Sequence, residues 1–188
     1  MSNQEILNKA SMEYIKLSEE VKKMVREAKR EKEEKEILAN LDILIQLMLM
    51  YVAVSDYSVD NIEVSFIKLF KTERDIIDFY NEKSLKKITW DDLKEENMEP
   101  SEFKEFVDRS YKMFNQNINH FIIFLASIDS LTKDNELSIV ENYIRNILTL
   151  FDQIDNKTSD IVDYVMNEML ISKYKQTKSI FSSVDFKL

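Results

Sequence analysis

Apolar residues recur at alternating spacings of three and four over the first segment of the chain, roughly residues 3 to 38. Leu7, Ala10, Tyr14, Leu17, Val21, Met24 and Ala28 form a heptad seam there. Around it Glu19, Glu20, Lys22, Lys23, Arg26, Glu27 and the run from Lys29 to Glu36 mix signs, which suits i to i+4 pairs on a solvated helix face. Such a seam serves either a coiled coil with another chain or a long helix laid on its own bundle. So short a seam is marginal as an independent coil, which favours the second use.

From Leu38 to Ser55 the residues are apolar nearly all round, the pattern of a helix enclosed by other helices. An amphipathic helix is predicted from about Asp60 through Val64, Phe66, Ile67 and Phe70, and another from Thr72 to about Tyr80. Asn81 to Glu99 is the most polar internal stretch and reads as a loop with a short helix at Trp90 to Glu95, with Trp90 as its anchor on the core. Pro100 suits the first turn of a helix running to about Ile128, since its missing N–H has no partner there anyway. Two further helices are predicted, from about Thr132 to Ile154 and from about Thr158 to Phe181, with Phe186 in the tail as a candidate contact. The fold class is therefore all-α: a charged amphipathic helix over 1–37 and a multi-helix bundle over 38–188.

Composition narrows the chemistry. The 188 residues include no glycine, no cysteine and a single proline. Without glycine there is no Rossmann turn or phosphate loop, and tight hairpins become rare. Without cysteine there is no disulfide framework, thiol nucleophile or zinc–thiolate site, which suits a cytoplasmic protein. The polar N-terminus and the short apolar run from Ile43 to Val54 predict neither a signal peptide nor an integral membrane segment. A formal charge of −9 repels nucleic-acid backbones and favours cations or basic partners.

Two core-helix ends share one acidic pattern. Ala53-Val-Ser-Asp56 is followed by Glu63, and Ala126-Ser-Ile-Asp129 by Glu136 at the same spacing. Each follows an apolar run and precedes an amphipathic helix, so the helix-corner-helix unit looks duplicated. Over roughly residues 38 to 154 this pattern resembles the TerB-like family associated with bacterial tellurite resistance, with Tyr57 and Ser130 where that family commonly has glycine. The resemblance implies a helical domain with two pseudo-equivalent corners, a stress-response setting, and divalent-cation binding by Asp56, Glu63, Asp129 and Glu136, with Asp60 and Asp134 as neighbours. Carboxylates at helix N-termini are equally explained by capping and by the helix dipole, Asp60 with Glu63 being an ordinary capping pair and Thr132 an available cap for the second corner.

Neither corner fits an EF-hand, and an all-oxygen donor set points to Ca2+ or Mg2+ rather than zinc or copper. His120, the sole histidine, has no partner legible in the sequence and reads as structural or surface. Asp91 and Asp92 read as solvated, and Met48, Met50, Met113, Met166 and Met169 as core filler rather than an adaptable binding surface. No catalytic residue or organic cofactor is predicted. The reading is a non-enzymatic module that binds a protein partner, or a second copy of itself, through the N-terminal helix, with a divalent cation as a further candidate ligand. Its alternatives are a structural adaptor working through the N-terminal helix, or a carboxylate-dependent enzyme.

Overall fold

The computed structural model describes the chain except residues 57–58, 117–118, 133–134, 156–158 and 184–188, together with the side chains of 56, 130–132, 155 and 159. The heptad seam forms α1, Asn3–Glu27, opened by a capping box in which Ser2 and Glu5 exchange bonds. Its buried stripe includes Ile6, Ser18 and Val25 as well as Ala10, Tyr14, Leu17, Val21 and Met24, so it is wider than a two-stranded coil requires. That stripe lies chiefly along α7, Glu136–Asp155.

The predicted first helix ends ten residues early. Its carbonyls are closed by a Schellman motif, in which the Arg30 N–H reaches the Val25 carbonyl at 3.0 Å and the Lys29 N–H reaches that of Arg26 at 3.0 Å. The motif needs a left-handed residue, and Lys29 supplies it at φ 56° because the chain has no glycine. Arg30 then ties the corner to α6, His120–Thr132, by donating to the Ser127 hydroxyl at 3.0 Å and lying over the Phe124 ring.

After a 3₁₀ turn at Glu31–Glu33 the chain enters α2, Glu34–Ala53, the enclosed helix of the bundle. Leu41, Leu44, Ile45, Leu47, Met48, Leu49 and Met50 are fully buried. The stretch Glu31–Ala53 is long and apolar enough to cross a bilayer, yet most of its apolar surface is buried within the bundle. It packs on α6, α7 and α8 (Ser159–Met166), and on α4 (Ile76–Lys83) and α5 (Pro100–Gln116). Each large side chain buried there contributes about 1.5–3 kcal/mol.

Between α2 and α4 stands the short α3, Asn61–Ile67. Pro100 does open α5, as its geometry predicts. The single helix predicted beyond it is interrupted, because the Asn119 side chain accepts from the Phe121 and Ile122 N–H groups and starts α6 afresh. In the last helical stretch α8 passes through a π turn at Asn167–Ile171 into α9, Ser172–Ser183, which lies along α6. Met48, Met50, Met166 and Met169 are buried and Met113 partly so, which makes them core residues. No strand occurs among the described residues.

Replacing Lys29 with glycine removes the side-chain penalty of the left-handed conformation, about 1 kcal/mol. The expected gain is ~2–4 °C in melting temperature. Lys29→Val should lower it. Thermal melts of the two variants check this, and a glycine variant less stable than the parent would show that the corner is held by something other than its backbone geometry.

Candidate functional site

At the first acidic corner the described side chains form a cap on α3. Asp60 precedes α3 and accepts from the N–H groups of Ile62 and Glu63, both at 2.8 Å, while buried Glu63 accepts from the Asp60 N–H at 2.9 Å. The Asp56 side chain and Asp134 lie outside the described residues. At the second corner the buried Asp129 caps α7 from the end of the preceding helix. One of its oxygens accepts from the Glu136 N–H at 2.9 Å, and the other accepts the Tyr174 hydroxyl from α9. Burial, reinforced by this carboxylate, pushes the Tyr174 phenol above its ordinary range. The described bonds at the first corner are those of the Asp60 and Glu63 capping pair, and at the second Asp129 bonds the first N–H of α7. Among the described residues no group of three or more carboxylates or imidazoles gathers around a common point.

A third buried carboxylate went unpredicted. Asp42 lies within α2, and one of its oxygens accepts from three successive N–H groups, those of Thr72, Glu73 and Arg74, at 2.9, 2.7 and 3.0 Å. Successive N–H groups of this kind form an anion-binding nest, here filled by the protein's own side chain. The other oxygen accepts the Tyr14 hydroxyl, which also lies 2.7 Å from the Thr72 hydroxyl. One turn along α2, buried Gln46 accepts from the Ile76 N–H at 2.7 Å and donates to the Phe70 carbonyl. Asp42 and Gln46 together grip the segment from Phe70 to Ile76, so α4 begins at Ile76 rather than at the predicted Thr72. The legible signal was a pair of polar residues four apart on an otherwise apolar helix.

Burial pushes the Asp42 carboxyl above the ordinary aspartate range, while Tyr14 and the three N–H groups pull it part of the way back. Asp75, which caps α4, moves the other way. Burial opposes its charge, but the Asp78 N–H, the Lys71 ammonium at 3.1 Å and the Trp90 indole N–H outweigh that and hold it below its usual range. Trp90 accordingly anchors the polar loop, whose short helix is a 3₁₀ turn at Asp91–Leu93. His120 sits on the exposed surface, 3.1 Å from Glu36.

Two of the surface hollows combine apolar and charged walls. One, of about 380 Å3, runs between the end of α5, α6 and α9 and is lined by Phe114, Ile122, Met169, Ile180 and Phe181. The other, of about 490 Å3, lies between the end of α4, the loop after it and α5. Its charged groups are Lys83, Lys86, Arg109 and Lys112, with no carboxylate in its wall. Leu85, fully exposed, stands at its edge. No protein-family model, curated protein or solved structure matches this chain.

Asp42→Ala leaves three N–H groups and a buried hydroxyl without their acceptor, an expected cost of about 3–5 kcal/mol. Asp42→Asn keeps an oxygen for the nest and offers an amide N–H to Tyr14, so it should cost far less. Because the folded carboxyl titrates high, its contribution is complete below the unfolded-chain value of ~3.9 and is lost as pH rises through the folded value. The asparagine variant should lack that part of the pH profile. Denaturant unfolding across acid pH measures both effects, and an asparagine variant as damaged as the alanine one would count against the nest.

Proposed function

We propose that this chain is a non-enzymatic helical interaction module whose partner is a protein. The observation that carries the reading is the cationic hollow beside Leu85, a group of positive charges on a chain of net charge −9. Among the described residues Lys83, Lys86 and Lys112 make no ion pair, and Arg109 pairs with Glu105. The buried carboxylates support the same reading from the other side. Asp42, Glu63 and Asp129 each accept from backbone N–H groups, an arrangement that commits these three carboxylates to fixing turns.

The TerB-like resemblance contributes a bacterial stress-response setting to this proposal and rests on the repeated alanine, aspartate and glutamate spacing. The lack of cysteine fits a reducing, cytoplasmic location. Ca2+ or Mg2+ binding by Asp56, Glu63, Asp129 and Glu136 would require the corners to act together, whereas the described bonds of Glu63 and Asp129 are those of caps.

Lysine-directed cross-linking in cells expressing the protein tests the module. Heterologous cross-links should concentrate at Lys83, Lys86 and Lys112 and persist in Asp42→Asn, whose fold is kept. Cross-links absent, or spread evenly over the surface lysines, would overturn the reading. Millimolar Ca2+ or Mg2+ should leave the melting temperature unchanged. A rise of several degrees, lost in the paired Asp56→Asn and Asp129→Asn variant, would replace it with a cation-binding one.

A further inference from the structure

Resting on the interaction-module reading, we infer that the hollow between α4, residues 84–88 and α5 is a docking site for an acidic protein segment carrying an apolar side chain. The walls supply both halves of that chemistry. Lys83, Lys86, Arg109 and Lys112 present cations, while Tyr80 and Met113 provide an apolar floor. Leu85 projects fully into solvent from the loop that forms the rim. Leu85 thus places an exposed apolar side chain beside the cations, where an apolar side chain of a bound segment can meet it.

Neighbouring cations have local duties, and they show which ones are spare. Lys87 donates to the Ser84 carbonyl at 3.1 Å and to that of Asn81, closing the end of α4. Lys83 lies over the Phe79 ring, 5.5 Å from its centre, in the last turn of α4. Lys86 and Lys112 have no such role among the described contacts. They are the strongest reporters of an external anion.

The width of the positive region selects a peptide segment over a broader anionic surface. On the other side of the loop the adjoining hollow carries Asp92, Glu102 and Glu105 as well as Lys86, Lys87 and Arg109. Asp108, paired with Lys104 at 2.6 Å, lies on the same helix as Arg109. A bilayer or duplex resting on Leu85 would meet those carboxylates and the overall negative charge, since screening extends only over ~8 Å. A single extended segment lying along the hollow meets a wall whose charged side chains are all cations, Arg109 alone of them being paired with a carboxylate among the described residues. Two copies of this chain carry like net charge, which opposes self-association through the same face.

The test uses the full chain and a short synthetic peptide of glutamates flanking a leucine, labelled for fluorescence anisotropy, with a glutamine version as the neutral control. The acidic peptide should bind, and binding should weaken with added salt. The paired charge reversal Lys86→Glu with Lys112→Glu should reduce affinity about tenfold or more. Leu85→Ser should weaken binding while leaving its salt dependence in place. Both changes lie on exposed side chains, and unchanged melting temperatures confirm that the fold survives. Lys23→Glu with Lys35→Glu, the same charge change made on α1 and α2, should leave affinity within about twofold.

Equal loss in both reversed variants would overturn the site, showing only a net-charge effect. Binding of the glutamine peptide as tightly as the acidic one would overturn the charge basis. Vesicles containing anionic phospholipid, duplex DNA and sedimentation of the chain alone are the competing arms. Loop-dependent binding to vesicles or DNA, or dimerisation abolished by the Lys86 and Lys112 reversal, would each replace the peptide occupant. These outcomes leave the cross-linking pattern as a separate judgement on the module itself.

Discussion

A helix enclosed on every side must carry almost nothing polar, and α2 carries two buried polar side chains that organise what surrounds it. Asp42 and Gln46 are buried, one turn apart, and both face the segment from Phe70 to Ile76. That segment is irregular backbone pressed against the core, where unpaired N–H and carbonyl groups would each be costly. The two side chains satisfy five of its backbone groups, at Phe70, Thr72, Glu73, Arg74 and Ile76. The start of α4 is thereby set, and with it the loop that carries Leu85. Tyr14 adds α1 to the same junction, so the outer helix, the central helix and the connector meet at one carboxylate.

The same device recurs at the other end of the fold. Asp129 on α6 takes a tyrosine hydroxyl with one oxygen and a backbone N–H with the other, as Asp42 does on α2. In each case an aspartate on a core helix fixes the start of a following segment, and a tyrosine from a distant helix closes the arrangement. A chain without glycine cannot relieve crowded corners by adopting glycine-only backbone shapes. At Thr72–Arg74 a buried carboxylate holds a corner of ordinary backbone, and among the described residues Lys29 takes the left-handed geometry.

Much of the helical architecture was legible because amphipathic periodicity survives local detail. The seam of α1, the enclosed character of α2, Pro100 at the start of α5 and the anchoring of Trp90 all follow from side-chain type and spacing. The breaks at Ala28–Arg30 and before Asn119 were not. Helix-forming lysine, arginine and asparagine occupy them, and what ends each helix is a bond made to a particular carbonyl or N–H group. The acidic spacing marked helix ends, and the capping pair of Asp60 with Glu63 was legible in it. The bond from the Glu136 N–H to Asp129, seven residues back across the corner, is not a local cap and was not legible. The cationic hollow joins residues 83–86 to residues 109–113, a juxtaposition that depends on how α4 packs against α5 and leaves no mark on local periodicity.

The π turn at Asn167–Ile171 sets the phase of the last helix. A π turn takes up more residues than an α turn, and each residue inserted into an α-helix rotates everything beyond it by about 100° around the axis. Val162, Val165 and Met166 before the turn, and Tyr174 after it, are all buried although they belong to differently phased stretches. The number of residues in the turn is therefore itself a structural parameter: it aims the Tyr174 phenol at Asp129. A substitution that preserved every contact side chain but changed the segment's length would turn that phenol toward solvent, so at this point in the chain the fold depends on counting as much as on chemistry.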